Sequence, residues 1–355
     1  MQLVIAILLA IYGQGVPGEA QAAYRREAIG AFSPFVRSGA WEISRWTGPE
    51  REIGFAADEL VPSWTADTPA GSWLRVEVRM PGSGWYVMGR WAYGESGIRR
   101  TTVKGQADAT GTVVADVLRL SRPVTSYQLR ATLLRRPGSA VRPVLRSLGA
   151  VASARGVPAK GSAGAAWGRE LGVPRKSQLA HADHGGRAWC SPTSTAMVVG
   201  YWGRGPRPAE TAWVRKNDPD PAVDHAARHT SDRAYGGSGN WAFNTAYAGA
   251  FGLEAFVTRF PSLAAAEPLI ASGVPFVASL SFTAEELGRD SDGHLVVVTG
   301  FTAEGDVIAN DPAARGVRVV LPRDAFERAW VRSSSGTAYV IHPPGRGLPA
   351  GVVTE

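Results

Sequence analysis

Only one cysteine, Cys190, occurs in the 355 residues. A lone thiol cannot close an internal bridge, so no disulfide framework supports this fold. Histidine is sparse as well: there are six, and none precedes His181. The first half of the chain therefore lacks the residues for a His-based catalytic or metal site. Lysine is scarce beside arginine, and the arginines are scattered, with only short clusters such as Arg135-Arg136. The net charge of +7 and a pI of about 9.8 suit an anionic cell-envelope setting. Without a Lys/Arg-rich run or a nucleic-acid motif, no nucleic-acid partner is expected. There is no apolar run long enough for a stable membrane span, no His-Glu-x-x-His pattern, no Gly-rich phosphate loop and no internal repeat. No cofactor or metal is called for on these grounds.

One short apolar run is present. Leu3 to Tyr12 has the composition of a signal-peptide core, and Ala20-Gln21-Ala22 follows it as a small-x-small cleavage site. No Lys or Arg precedes the run. Residues 1–23 are read as a signal peptide cut after Ala22 or Ala23, which makes the protein secreted or bound in the cell envelope. Export sharpens the meaning of the single cysteine. A thiol left over in an exported protein is either intermolecular or functional.

Residues 24–50 read as a linking segment. From 51 to 150 the pattern alternates with period two. Trp73–Met80, Trp85–Trp91, Thr112–Leu120 and Ser126–Arg135 are strands, separated by Pro81-Gly82-Ser83-Gly84, Gly105 and Arg122-Pro123. Several strands with turn signals and no helical period predict an all-β sandwich. Trp41, Trp46, Trp64, Trp73, Trp85 and Trp91 mostly fill its core. An aromatic-rich β domain in an exported protein also suggests contact with a cell-wall polymer. Residues 151–166, with Gly156-Val157-Pro158 and Gly161-Ser162-Ala163-Gly164, have linker composition. The second domain spans 167–343, followed by a tail at 344–355. Its helices come first and its strands last, which predicts an α+β fold with an antiparallel sheet packed on the Cys-bearing helix.

Cys190 lies between a Gly-rich turn, His184-Gly185-Gly186-Arg187, and an apolar run, Ala196 to Trp202. That layout puts the thiol at a helix start. First-turn amides have no internal partner, and the helix dipole is positive there, so both favour a thiolate. Pro192 and the hydroxyl residues Ser191, Thr193, Ser194 and Thr195 suit the first turn. An arbitrary lone Cys is more often a small buried hydrophobe. What argues for chemistry is the rest of the constellation.

A Cys nucleophile needs a base, and the base needs an orienting acid. Among the six histidines, His294 alone opens a strong strand, His294–Phe301. The next strand returns to Asp311, so a hairpin brings Asp311 back to His294, where it can fix the tautomer and stabilise the imidazolium. Gln178 lies upstream in the segment entering the site, with an amide suited to an oxyanion. Two histidine sets compete as metal ligands: His181 and His184 with Asp183, and His225 with His229. Neither is a full ligand set by sequence, and polar loop roles are favoured.

Four segments carry a resemblance: Val173-Pro174 with Ser177-Gln178, Trp189-Cys190-Ser191-Pro192-Thr193-Ser194-Thr195-Ala196-Met197, Gly293 to Phe301, and Asp306-Val307-Ile308-Ala309-Asn310-Asp311-Pro312. They look like the peptidase C39-like family, which is similar in fold to papain-type cysteine peptidases. The resemblance covers the C-terminal domain only, about 167–343. It implies Cys190 as nucleophile, His294 as base, Asp311 as orienting residue and Gln178 as oxyanion donor. The Gln178–Cys190 gap is longer than is usual in these peptidases, so His181 to Gly186 is expected to bulge out as a loop. The implied function is cysteine hydrolysis of peptide or amide bonds in a peptide or protein substrate. The alternatives are a wall-peptide amidase or transpeptidase, and a non-catalytic wall-binding protein on a degenerate peptidase scaffold.

Overall fold

The computed structural model describes residues 18–95 and 97–354. The apolar run at 3–12 lies outside these residues. Eight strands precede residue 155: β1 (Gln21–Arg26), β2 (Val36–Ser38), β3 (Trp41–Asp67), β4 (Ser72–Arg79), β5 (Tyr86–Trp91), β6 (Gly111–Val114), β7 (Val117–Arg135) and β8 (Val144–Ala154). All belong to one antiparallel sheet of order β1-β8-β3-β7-β4-β5, with β2 on β3 and β6 on β7. The long strand β3 pairs first with β7 and then with β8, and register shifts between Thr47 and Glu59 bend it.

Several expected boundaries move. The segment 24–50 is not a link: it contributes half of β1, all of β2 and the first part of β3 to the sheet. Its pattern hides this because β2 and the start of β3 are largely exposed. A cut after Ala22 or Ala23 would fall inside β1, whose Ala22 and Ala23 pair with Ser153 and Ala152. The linker starts only after Ala154, where β8 ends. The run Thr112–Leu120 is two strands, not one. Val114 pairs with Val117 across a two-residue turn, and Ala115 takes φ 55°. No glycine marks this turn, so the sequence reads as continuous. The tail is anchored too: Thr354 exchanges hydrogen bonds with Tyr24 and Arg26 of β1, and Val352 is buried.

The second half adds β9 (Arg169–Glu170), α1 (Cys190–Tyr201), α2 (Pro221–Thr230), α3 (Trp241–Gly249), β10 (Glu254–Arg259), α4 (Leu263–Ala271), β11 (Phe276–Phe282), α5 (Ala284–Leu287), β12 (Ser291–Phe301), β13 (Val307–Asn310), β14 (Arg318–Leu321), α6 (Arg323–Ser334) and β15 (Thr337–His342). Their sheet runs β10-β15-β11-β12-β13-β14, with β9 on β12. The architecture is α+β, as expected, with a sheet-rich N-terminal domain. Helix α3 begins where Asn240 accepts a hydrogen bond from the Phe243 amide, and α4 where Ser262 accepts one from Ala265. Helix α2 opens on Pro221, which sits in the first turn where its missing N–H costs no hydrogen bond. Among the described residues, no helix is long and apolar enough to cross a membrane.

The two halves share their cores. Phe243 of α3 packs against Trp64 at 6.1 Å and Trp91 at 5.4 Å, both fully buried residues of the first sheet. Val223, Ala226, Ala242, Ala246 and Tyr247 complete that cluster. Across the same boundary Arg259 forms a buried ion pair with Glu59 at 2.6 Å, and the Val257 amide donates to Ser63 Oγ at 2.9 Å. Arg100 is buried and caps the end of α2 by donating to the Arg228 carbonyl at 2.7 Å. In the first sheet the tryptophans contribute to packing. Trp64 and Trp91 are sealed inside, and Trp85 lies between the guanidinium groups of Arg79 and Arg130 at 4.7 and 4.0 Å.

Candidate active site

Cys190 is the first residue of α1, preceded by the half-helical cap Trp189. The helix behind it, Ser191 to Val199, is entirely buried. Its hydroxyls fix its pose. Ser191 Oγ is 2.9 Å from Tyr339 Oη on β15, and Ser194 Oγ donates to the Leu295 carbonyl at 3.1 Å. Leu295 follows His294, so this bond ties the nucleophile's helix to the strand that carries the base. Cys190 itself remains partly exposed.

His294 sits on β12 opposite Leu280 of β11 and is 4% exposed. The register of the next hairpin explains its partner. Asn310 pairs with Val297, so Asp311, one residue beyond β13, comes level with Val296. Residues 294 and 296 share a face, which makes Asp311 a diagonal neighbour of His294. Nε2 of His294 lies 2.6 Å from Asp311 Oδ1. Nδ1 is then the ring nitrogen left for the thiol. Burial on its own would depress the His294 pKa. Hydrogen bonds to Asp311 and Cys190, and the charges of both, outweigh it and raise the ring to about 9. Asp311 shows the converse: burial would raise it, but bonds from His294, Arg289 and the Ala313 amide hold it at about 2. Arg289 reaches Asp311 at 2.7 Å from the turn before β12 and stacks over Phe282 at 5.0 Å.

The structure therefore brings Cys190, His294 and Asp311 together. Gln178 is buried nearby in a 3-10 turn, Gln178–His181, and is held by different groups. Its amide N–H donates to the carbonyl of Pro312, the neighbour of Asp311, at 3.0 Å. Its Nε2 donates to the Arg187 carbonyl at 2.9 Å, and Oε1 has no hydrogen-bond partner. Nε2 keeps a second hydrogen beyond the one given to Arg187.

Sequence reasoning missed three residues with a bearing on the site. Asp116 stands at the tip of the β6–β7 turn and accepts from the Trp241 amide at the start of α3. Burial pushes its pKa up to about 6. Burial first, and then the charges of Asp116 and Cys190, push the Tyr235 hydroxyl up. Arg289 is the third. No motif marks any of them: Asp116 comes from the other domain, and Tyr235 and Arg289 come from irregular loops. The alternative metal pair fares poorly. His225 and His229 stack at 4.0 Å, His225 Nδ1 lies 2.9 Å from Tyr247 Oη, and among the described residues no third His, Cys, Asp or Glu gathers with them as a ligand set.

Comparison with known families extends the resemblance. Residues 170–338 match the model of the Peptidase C39 like family, and residues 19–153 match that of the Peptidase C39 N-terminal domain. The likeness is thus not confined to the C-terminal domain, and the second match spans the stretch 24–50 that reads as a link. The C-terminal domain is C39-like, and the two matches support a peptidase-type function. No curated protein and no solved structure matches the chain.

Proposed function

We propose that the protein is an exported cysteine peptidase acting through Cys190, His294 and Asp311. The observation that carries this reading is the 2.6 Å bond from His294 to Asp311 on one side of the ring, with Cys190 at a helix N-terminus on the other. His294 takes the thiol proton, and the thiolate sulfur attacks the carbonyl carbon of the scissile amide. The oxyanion so formed is met by the Cys190 backbone N–H, which has no intrahelical acceptor at this position, and by the second hydrogen of Gln178 Nε2. Collapse breaks the C–N bond as His294 gives its proton to the leaving amine. Water, deprotonated by His294, then hydrolyses the thioester and restores the thiol.

The lone thiol and the apolar segment before Gly18 support export. Because β1 needs Gln21 and Ala22, we place the cleavage at or before Gly18; N-terminal sequencing of secreted protein tests this. The catalytic reading is tested with a cysteine-hydrolase activity probe and a peptide-library cleavage screen. Wild type should be labelled and should cleave, and Cys190→Ala should do neither while keeping its melting temperature. Unchanged turnover in that variant would end the proposal. Labelling with turnover only on wall-peptide amides would make the enzyme an amidase.

A further inference from the structure

The segment between Gln178 and Cys190 does not bulge loosely. It packs as two 3-10 turns, Gln178–His181 and Gly186–Ala188, and a Cβ at Gly186 would meet the Gln178 carbonyl oxygen at 2.2 Å. His181 and His184 meet two carboxylates from outside the segment: Asp224 on α2, and Asp218 just before it. One nitrogen or oxygen from each of the four lies within 4.8 Å of the others. His181 Nδ1 is 2.9 Å from Asp224 Oδ2 and 3.2 Å from Asp218 Oδ1. His184 Nε2 is 2.7 Å from Asp224 Oδ1 and 3.6 Å from Asp218 Oδ2. His181 is fully buried, yet neither of its ring nitrogens makes a hydrogen bond, and Asp224 Oδ2 accepts none. The imidazole is aimed at two carboxylates whose side chains are 4% and 5% exposed, without the geometry of a hydrogen bond to either. Two buried carboxylates held this close call for a cation between them.

We propose that His181, His184, Asp218 and Asp224 form a tetrahedral zinc site. Two imidazole nitrogens and two carboxylate oxygens are a donor set for Zn²⁺. Zinc bonds of about 2.1 Å give a tetrahedron with edges of about 3.4 Å. The His–Asp separations of 2.7 to 3.6 Å run to both oxygens of each carboxylate, and one ligand atom from each of the four residues lies within 4.8 Å of the others, close enough to gather around one ion. The residue behind the site fits as well. His184 Nδ1 is 2.5 Å from Asp183 Oδ1, and Asp183 is itself held by Arg215 at 2.7 Å. A carboxylate on the far nitrogen of a metal-bound histidine fixes its tautomer and orientation. Asp183 is therefore a supporting residue rather than the ligand its position in sequence suggests.

Four protein ligands close the coordination sphere, which makes the site structural. It braces the insertion against α2. The Trp189 ring lies 6.0 Å from His181 and 5.4 Å from His184, and Cys190 follows it directly. Gln178 begins the same turn as His181. The ion thus sets both ends of the insertion, the oxyanion amide and the start of the nucleophile's helix, and takes no part in bond breaking.

The experiment uses the full chain carrying Cys190→Ser, so that no thiolate binds metal. The protein is stripped with chelator and titrated with Co²⁺. One equivalent should bind with the intense visible bands of a tetrahedral ion, and Zn²⁺ should displace it. His181→Ala and the isosteric Asp218→Asn should each abolish the bands, with folding checked by circular dichroism. Asp183→Asn should weaken binding by about 10–100-fold. Should His181→Ala fail to fold, the two Asn variants decide. Substoichiometric binding, or binding unchanged in Asp218→Asn and Asp183→Asn, overturns the site. Because the readout is the metal spectrum, the result is independent of whether the protein hydrolyses peptides.

Discussion

His294 Nε2 and Asp311 Oδ1 lie 2.6 Å apart, although the two residues are 17 positions apart in sequence. The β12–β13 register alone brings them together, and Arg289 neutralises the outer oxygen of the same carboxylate. Asp311→Asn keeps this shape but removes the charge that stabilises the imidazolium. It is expected to lower kcat/KM on a peptide substrate by about 10²–10⁴-fold, with the fold retained. A variant with wild-type turnover would show that Asp311 serves only as a turn residue.

The pH profile follows from the same pair. His294 stays protonated up to about 9, so its positive charge beside Cys190 is lost as pH rises through that value, and kcat/KM should fall on an alkaline limb there. Stability should follow. A ring raised above its unfolded pKa of about 6.5 contributes fully below that pH and loses the contribution by about 9, at most about 3 kcal/mol. Asp311, held at about 2, contributes fully above the unfolded carboxyl value of about 4 and loses this as pH falls toward 2. Urea denaturation at pH 6 and pH 10 checks the basic side. The loss in wild type should shrink in His294→Gln, and equal losses in the two proteins would refute the assignment.

Phe243 joins the domains by packing on Trp64 and Trp91. Truncating a buried aromatic costs about 3–5 kcal/mol. Phe243→Ala should therefore lower the melting temperature sharply. The wild-type chain should unfold in one calorimetric transition, since its two sheets bury one another. Two separate transitions in wild type would mean that the halves are independent.

Much of the second half was legible because its signals are local. Ser262 and Asn240 cap their helices, and the glycines after α3 and α4, Gly252 and Gly273, take positive φ. The apolar run 295–298 fixes β12, and two strands of known spacing bring Asp311 to His294. What sequence could not give is anything decided by a partner element. The strands in 24–50 are short or half-exposed, and pairing with β3, β7 and β8 holds them in the sheet. Ala115-Asp116 turns the chain without glycine because the paired strands on either side impose the conformation. Asp218 and Asp224 join His181 and His184 only through the packing of α2, so the histidines alone resembled polar loop residues.

Asp116 provides a last test of how far the first domain reaches into the second. Its carboxyl accepts from the Trp241 amide at the start of α3, and burial raises its pKa to about 6. A carboxyl raised on folding binds its proton more tightly in the folded state. Stability should therefore fall as pH rises from about 4 to about 6, by at most about 3 kcal/mol, and stay reduced above that. Asp116→Asn keeps an acceptor oxygen for Trp241 and removes the ionisation. It should match wild type in urea denaturation at pH 4 and exceed it at pH 7.5. Wild type and variant with the same slope between those values would show that the carboxylate is not desolvated at the domain boundary.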